Sequence, residues 1–113
     1  MRKAQVYNNS TLAGILIEKD DRSFEFIYDD FYFLDSTKPA ISLTISKSIK
    51  THTSKYLFPF FFSMLSEGFN KQQQCKQLRI DENDHFGLLL KTASDEYIGA
   101  IRVVELLDNE KIK

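Results

Sequence analysis

The chain has 113 residues, of which 42% are apolar and 27% charged, and its formal net charge is −1. This length predicts one domain that can bury a core, and the balanced charge disfavours a protein whose binding depends on nucleic-acid phosphates or anionic lipid. The single cysteine, Cys75, excludes an internal disulfide, and with two separated histidines it gives no zinc-binding pattern. We therefore expect neither a metal nor a cofactor.

The N-terminal segment carries charge but no following apolar region of the kind found in a signal peptide, and no window approaches 18 consecutive apolar residues. These two features predict a protein that is neither exported nor embedded in a membrane. We expect it to be cytoplasmic.

The first half of the sequence has the pattern of β-strands. Segments 3–9 and 12–19 flank a turn-forming Asn-Asn-Ser cluster and predict a hairpin. After a second turn at 20–22, segment 23–30 alternates aromatic with other residues, as a half-buried strand does. A loop or single helical turn follows. The alternation of Ile41, Leu43 and Ile45 then predicts a fourth strand.

The second half is predicted to be mainly helical. From Leu57 to Gly68, apolar residues recur at the spacing of an amphipathic helix, with Pro59 in its first turn. A polar helix over 69–80 and a short helix over 85–93 follow, and segment 97–106 predicts a closing strand. The pattern indicates one α+β domain over 1–106: N-terminal antiparallel strands forming a curved sheet, about three short helices, a closing C-terminal strand, and a flexible tail at 107–113.

The sequence offers little support for catalysis. Cys75 could use His52 or His85 as a base, but nothing in their spacing favours it, and the adjacent acidic pairs are typical of turns and helix caps. No glycine-rich phosphate-binding motif occurs among the four glycines. We predict no catalytic residue. A small enzyme using Cys75 or His85, and direct DNA binding, remain as minor alternatives.

Four of the ten phenylalanines lie within five positions, at 58, 60, 61 and 62. At about 100° per residue, the apolar stripe contains Phe60 and Phe61 and has Phe58 at its edge, whereas Phe62 projects roughly 120° away, on the side of Ser66. A fully exposed phenylalanine forgoes about 1.5–3 kcal/mol of burial free energy. Phe62 is therefore either an incidental exposed or covered ring, or an aromatic anchor for a partner.

Six motifs follow one another along the chain: the strand pair VYNNSTLAGIL, an aromatic strand with Phe26 and Tyr28, the segment PAISLTI, the helix segment FFFSMLSEG, the segment DHFGLL, and Asp95 with Gly99 and Ala100. In this order they resemble the N-terminal subdomain of HipA-type toxin kinases, which also occurs as a separate small protein in HipB–HipS–HipT toxin–antitoxin systems. The family's helix signature is F-F-x-x-L-L-P-[DE]-G, and its D-P-F-x-L-L motif corresponds to DHFGLL. Ser66 stands in place of the usual proline, and position 62 is commonly polar in the kinase-attached form.

The resemblance implies a bacterial, cytoplasmic, HipS-like antitoxin rather than an enzyme. It would bind and inhibit a separate HipT-like serine/threonine kinase, and a HipB-like helix-turn-helix protein would handle operator DNA. The strand-rich half is expected to dock on the kinase and the helix from Leu57 to present Phe62 near its active site. The candidate partner-binding residues are Phe62, Phe58, Ser63, Ser66 and Glu67. The alternative is an accessory subunit that completes or activates a split HipA-type kinase.

Overall fold

The computed structural model describes residues 1–65, 68–92 and 100–106. Five strands form one sheet of order β4-β3-β2-β1-β5, in which every neighbouring pair is antiparallel. The strands are β1 (Arg2–Asn8), β2 (Thr11–Glu18), β3 (Phe24–Tyr28), β4 (Thr51–Ser54) and β5 (Ile101–Leu106), and the described helices are α1 (Asp30–Leu34), α2 (Pro59–Phe62), α3 (Gly68–Leu78) and α4 (His85–Thr92). The predicted α+β class is confirmed, with four described helices where about three were expected.

The predicted hairpin and second turn are both present. Asn9 adopts a left-handed φ of 56° between β1 and β2, a conformation that asparagine tolerates better than most residues. Between β2 and β3, the Lys19 N–H donates to the Ser23 carbonyl at 2.8 Å, and the Asp21 carboxylate accepts from the Ser23 N–H at 2.9 Å. These short turns hold the three consecutive strands in register.

One face of the sheet forms the core. The buried residues of β1, β3 and β5 alternate along each strand, as side chains facing the helices must, and Ala13 and Leu16 of β2 join them: Ala4, Val6, Ala13, Leu16, Phe24, Phe26, Tyr28, Ile101 and Val103. Phe61 from α2 and Leu88 and Leu89 from α4 pack in the same cluster. The alternate residues of the opposite face, Ile15, Ile17 and Ile27 among them, are partly exposed.

The fourth strand predicted around Ile41, Leu43 and Ile45 is wrong. Ile41 and Ile45 are buried but Leu43 is 100% exposed, because the segment turns back on itself: the Ile45 N–H donates to the Ser42 carbonyl at 3.1 Å. The buried Tyr28 hydroxyl holds this turn by donating to the Ile45 carbonyl and accepting from the Ile41 N–H. The Tyr28 hydroxyl therefore forms hydrogen bonds with backbone groups that, in a strand, would have bonded to a neighbouring strand.

The edge of the sheet beside β3 is formed instead by β4, six residues further along the chain. Its His52 is paired with Phe26 across the strands, and the Tyr28 N–H donates to the Lys50 carbonyl at 3.0 Å. The His52 Nε2 lies 2.8 Å from the Ser46 carbonyl oxygen, which ties the preceding loop to this strand.

The predicted helix from Leu57 to Gly68 is much shorter than its apolar spacing indicates. α2 ends at Phe62, and the chain continues in a tight turn in which Met64 and Leu65 donate to carbonyls three residues earlier. α3 begins at Gly68, where the first helix was expected to end. The other two predicted helices correspond to α3 and α4. Residues 97–99 of the predicted closing strand and the predicted tail at 107–113 lie outside the described residues.

Candidate partner-binding site

The local sequence explains where α2 begins and ends. Phe58 precedes a proline and takes an extended conformation (φ −55°, ψ 136°), which favours a helix start at the next residue. Pro59 occupies the first helical turn, where its missing N–H costs nothing. At the other end, the Ser63 hydroxyl donates to the Phe60 carbonyl at 2.6 Å. The result is a single helical turn fixed at both ends.

This turn distributes its phenylalanines between core and surface. Phe61 is fully buried, and its ring centroid lies 6.3 Å from Phe58, 5.3 Å from Phe60 and 6.0 Å from Phe26 of β3. Phe58 is buried and Phe60 partly buried. Phe62 remains 41% exposed, so the helical spacing predicted the correct ring to lie outside.

Phe62 is not an isolated ring, because it packs edge-on against His85 of α4, with 4.9 Å between the ring centroids and 82° between the planes. Burial lowers the pKa of His85, Lys71 lowers it further, and Asp84 opposes the shift. The imidazole beside Phe62 is therefore more strongly biased to its neutral form at neutral pH than an ordinary histidine. α4 covers one side of the Phe62 ring and leaves the other open.

A groove of about 660 Å³ opens beside Phe62. It lies at the end of the sheet where β1 begins, β2 ends and β3 begins, and the start of α4 forms its far wall. Apolar, cationic and acidic side chains share its lining, which includes Arg22, Lys55, Leu57, Phe62, Asp81 and His85. The groove and the exposed face of Phe62 together form the candidate partner-binding site.

An ion-pair cluster closes the inner end of the groove. Arg2 donates to Glu18 from Nε and Nη2 at 2.7 and 2.9 Å, and to Asp84 from Nη1 and Nη2 at 3.0 and 2.8 Å. Its guanidinium also lies 5.4 Å from the centroid of the Phe86 ring. Asp84 accepts from the Gly87 N–H at 3.0 Å and so caps α4. Arg2 thereby fixes the start of α4, and with it His85, against the sheet.

The sequence pattern placed Asp84 in the DHFGLL segment and among acidic residues typical of turns and helix caps, and it gave no role to Arg2 or Glu18. The hairpin register could have revealed half of the cluster, because Arg2 and Glu18 are directly opposed across β1 and β2. Asp84 is 82 residues from Arg2, and no local pattern indicates that contact.

Neutralising Asp84 in the variant Asp84→Asn is expected to reduce stability at pH 7 by more than it does at pH 3. Hydrogen bonding to Arg2 is the main cause that lowers the pKa of Asp84 in the folded protein. A carboxylate whose folded pKa is lowered below about 3.9 stabilises the fold above that pH and loses this contribution as the pH falls through the folded pKa. Asparagine can still cap the helix, so the variant isolates the charge. Urea denaturation midpoints at both pH values measure the difference.

The matched control is Asp81→Asn, because among the described residues the Asp81 carboxylate accepts only from the local Asn83 N–H. We expect its midpoint to follow the wild type at both pH values. An equal loss for Asp84→Asn at pH 3 and pH 7 would show that the Arg2 ion pair does not set the acid dependence.

The other predicted residues fall in different places. Ser63 is exposed and bonded to Phe60, while Ser66 and Glu67 lie outside the described residues. Buried Cys75 lines a separate depression with residues of α3 and does not share the groove of His85.

Within residues 1–65, 68–92 and 100–106, no three potential metal ligands are grouped. Over the same ranges, no helix has the length and apolar character to cross a membrane.

Three comparisons agree on the relationship of this chain to known proteins. Residues 4–104 match the family model of the HipA N-terminal domain. The chain is 33% identical over 107 residues to an uncharacterized protein of Haemophilus influenzae, a match that covers 93% of each chain. It also matches a solved structure, the N-terminal domain of HipA toxin, with a TM-score of 0.71 and 27% identity over 96% of this chain and 95% of that one. The predicted resemblance is thus confirmed, and the chain belongs to the HipA N-terminal domain family.

Proposed function

We propose that this protein is a HipS-like antitoxin that binds a separate HipT-like serine/threonine kinase and neutralises it by protein–protein contact in the bacterial cytoplasm. The observation that carries the proposal is the half-exposed Phe62, held on a rigid turn in a member of the HipA N-terminal domain family. The uncharacterized Haemophilus influenzae protein shows that a domain of this kind also occurs there in a chain of similar length. A HipB-like helix-turn-helix protein would complete the system as its DNA-binding component.

In this proposal Phe62 acts as a preorganised anchor. Its backbone N–H donates to the Phe58 carbonyl at 3.0 Å, and its neighbour Phe61 is locked in the core. His85 restricts one side of the ring. Little conformational freedom is therefore lost when the open side enters a cavity near the kinase active site, and rigid aromatic side chains of this kind dominate many interfaces.

The neighbouring residues would extend the contact around Phe62. Lys55 and Tyr56, whose ammonium and ring lie 5.8 Å apart, present a polar and aromatic rim from the strand-rich half. We include Ser63, Ser66 and Glu67 in the proposed contact, and we assign buried Phe58 the part of supporting Phe61 beneath it. The inserted ring would obstruct the protein substrate or hold the kinase open, and would need no chemistry of its own.

Phe62→Asp is expected to leave the fold intact and to weaken kinase binding at least tenfold, because a desolvated aromatic anchor contributes about 2 kcal/mol or more. The experiment co-expresses each variant with the cognate kinase and measures growth rescue, together with the dissociation constant of the purified pair. Unchanged rescue and affinity would show that Phe62 is not the anchor.

The matched control is Phe31→Asp. Phe31 is 86% exposed on α1, which follows the end of β3 opposite the groove. Phe31→Asp therefore makes the same chemical change on a part of the surface away from the candidate site. We expect full rescue from this variant. The same assay tests the accessory-subunit alternative, since an activating subunit would deepen growth arrest where an antitoxin relieves it.

A further inference from the structure

The face of the sheet that points away from the helices has an apolar centre. Ile15 and Ile17 of β2 and Ile27 of β3 are partly exposed there, and Val104 of β5 lies on the same face. An antiparallel sheet with one solvated face normally presents polar side chains on it. Isoleucine on the central strand of such a face indicates a surface that another protein surface covers.

The charges on this face are placed symmetrically about the central strand. Ile17 of β2 is paired with Lys3 of β1 on one side and with Glu25 of β3 on the other. Across β1, β2 and β3, this row of paired residues therefore contains a cation, an isoleucine and an anion. β2 is the middle strand of the five. We call the surface formed by Lys3, Ile15, Ile17, Glu25 and Ile27 the outer face.

We propose that the outer face is a self-association surface whose partner is a second copy of this chain. A twofold axis running along β2 between two stacked sheets places Ile17 against its own counterpart. The same rotation exchanges the two sides of the sheet, so Lys3 of one copy lies over Glu25 of the other, and the pairing occurs twice. An interface related by a twofold axis must be self-complementary in this way, and sheets that pack face to face keep their strand directions within about 30°.

The neighbouring charges are compatible with this arrangement. Lys19 lies 3.7 Å from Glu25 within the chain, but the Lys19 side chain is 44% exposed and such surface pairs contribute little. The row next to Ile17 carries uncharged residues, Gln5, Ile15, Ile27 and Thr51, so no like charges meet across the axis there.

The available area predicts a weak dimer. Five strands spaced about 4.8 Å apart and about six residues long at 3.3 Å each give a face of roughly 400 Å² in projection per copy. The total for two copies, roughly 800 Å², falls below the total of about 1,000 Å² expected of a stable specific interface and in the range of weak contacts. We therefore expect a dimer whose population depends on concentration.

This inference goes beyond the proposed function and does not require the kinase. Phe61, directly before Phe62, is buried among the core residues on the helix side of the sheet, and the groove lies at one end of the strands. A dimer through the outer face leaves both Phe62 rings free, so each copy can still bind one kinase.

Sedimentation equilibrium of the purified chain alone, from low micromolar to near-millimolar concentration, tests the proposal. We expect wild-type protein to pass from monomer to dimer and Ile17→Lys to weaken dimerisation at least tenfold, because two lysines, one from each copy, would then face each other at the twofold axis. The matched control is Leu43→Lys, which places the same charge on the fully exposed turn and should dimerise as wild type does. Circular dichroism verifies folding of each variant.

Charge reversal provides a second test that leaves the apolar centre intact. Lys3→Glu alone and Glu25→Lys alone should each weaken the dimer, since each places like charges opposite one another, and the double variant should recover it. A wild-type chain that stays monomeric throughout, an Ile17→Lys dimer as strong as wild type, or a double variant without recovery would overturn the proposal. If the wild type is monomeric and Ile17→Lys abolishes kinase binding, the outer face belongs to the kinase and the proposal is likewise wrong.

Discussion

Phe61→Ala is expected to lower the free energy of unfolding by about 3–5 kcal/mol, the usual cost of deleting a buried phenylalanine ring. Phe61 is fully buried and contacts one ring from the sheet, Phe26, and two from its own segment. Removing it leaves a cavity between β3 and α2 that these rigid rings cannot readily fill. Urea denaturation followed by circular dichroism measures the loss.

Phe62→Ala is the matched control, since it removes the same ring one position along the chain. Phe62 is 41% exposed and its ring contact is with His85. We expect a loss of no more than about 1.5 kcal/mol, because only part of its burial free energy is at stake. Equal losses for the two variants would contradict the assignment of Phe61 to the core and Phe62 to the surface.

The division between these adjacent rings could be predicted from sequence because it depends on local geometry alone. Consecutive residues of one helical turn point about 100° apart whether the helix is one turn or three turns long. The spacing therefore identified Phe62 as the outer ring even though α2 ends at Phe62 rather than near Gly68. The length of the helix was mispredicted because a tight turn buries Met64 and Leu65 just as a continued helix would.

The fourth strand shows where alternation fails. Buried residues at 41 and 45 satisfy a strand pattern, but they satisfy equally well a turn whose two ends enter the core. The Tyr28 hydroxyl and the competing segment Thr51–Ser54 decide between the two. That segment reads THTS and has no apolar residue, so its pairing with β3 gives no hydrophobic signal in the sequence.

The groove was even less accessible to sequence reasoning, because its geometry depends on contacts between distant parts of the chain. Arg2 connects β1 to the start of α4, and that connection sets His85 beside Phe62. The outer face could be predicted in part. Its isoleucines can be recognised in the sequence, but the alignment of Lys3, Ile17 and Glu25 follows only from the register of three strands.

Gly14→Val is expected to destabilise the protein by about 3 kcal/mol or more, at the upper end of what overpacking costs. A Cβ atom at position 14 would lie 2.4 Å from the Ile27 carbonyl oxygen and 2.6 Å from the Phe26 Cζ. The first of these is a backbone atom of the neighbouring strand and cannot rotate away. Gly14 has no positive φ, so the requirement for glycine here is steric rather than conformational. Ile15→Val, one position along and on the outer face, should cost about 1 kcal/mol or less.

The same substitution should reach the candidate partner-binding site, because Phe26 lies between Gly14 and Phe61. A side chain at position 14 pushes the Phe26 ring towards Phe61, and α2 must shift with it. On the proposed function, we therefore expect Gly14→Val to weaken kinase binding even at temperatures where it remains folded, whereas Phe62→Asp weakens binding with a much smaller loss of stability than Gly14→Val causes. Measuring the dissociation constant and the denaturation midpoint for both variants separates the two effects. Wild-type stability for Gly14→Val would show that β2 and β3 can move apart without cost. The proposed link from Gly14 through the packed rings of Phe26 and Phe61 to Phe62 would then be wrong.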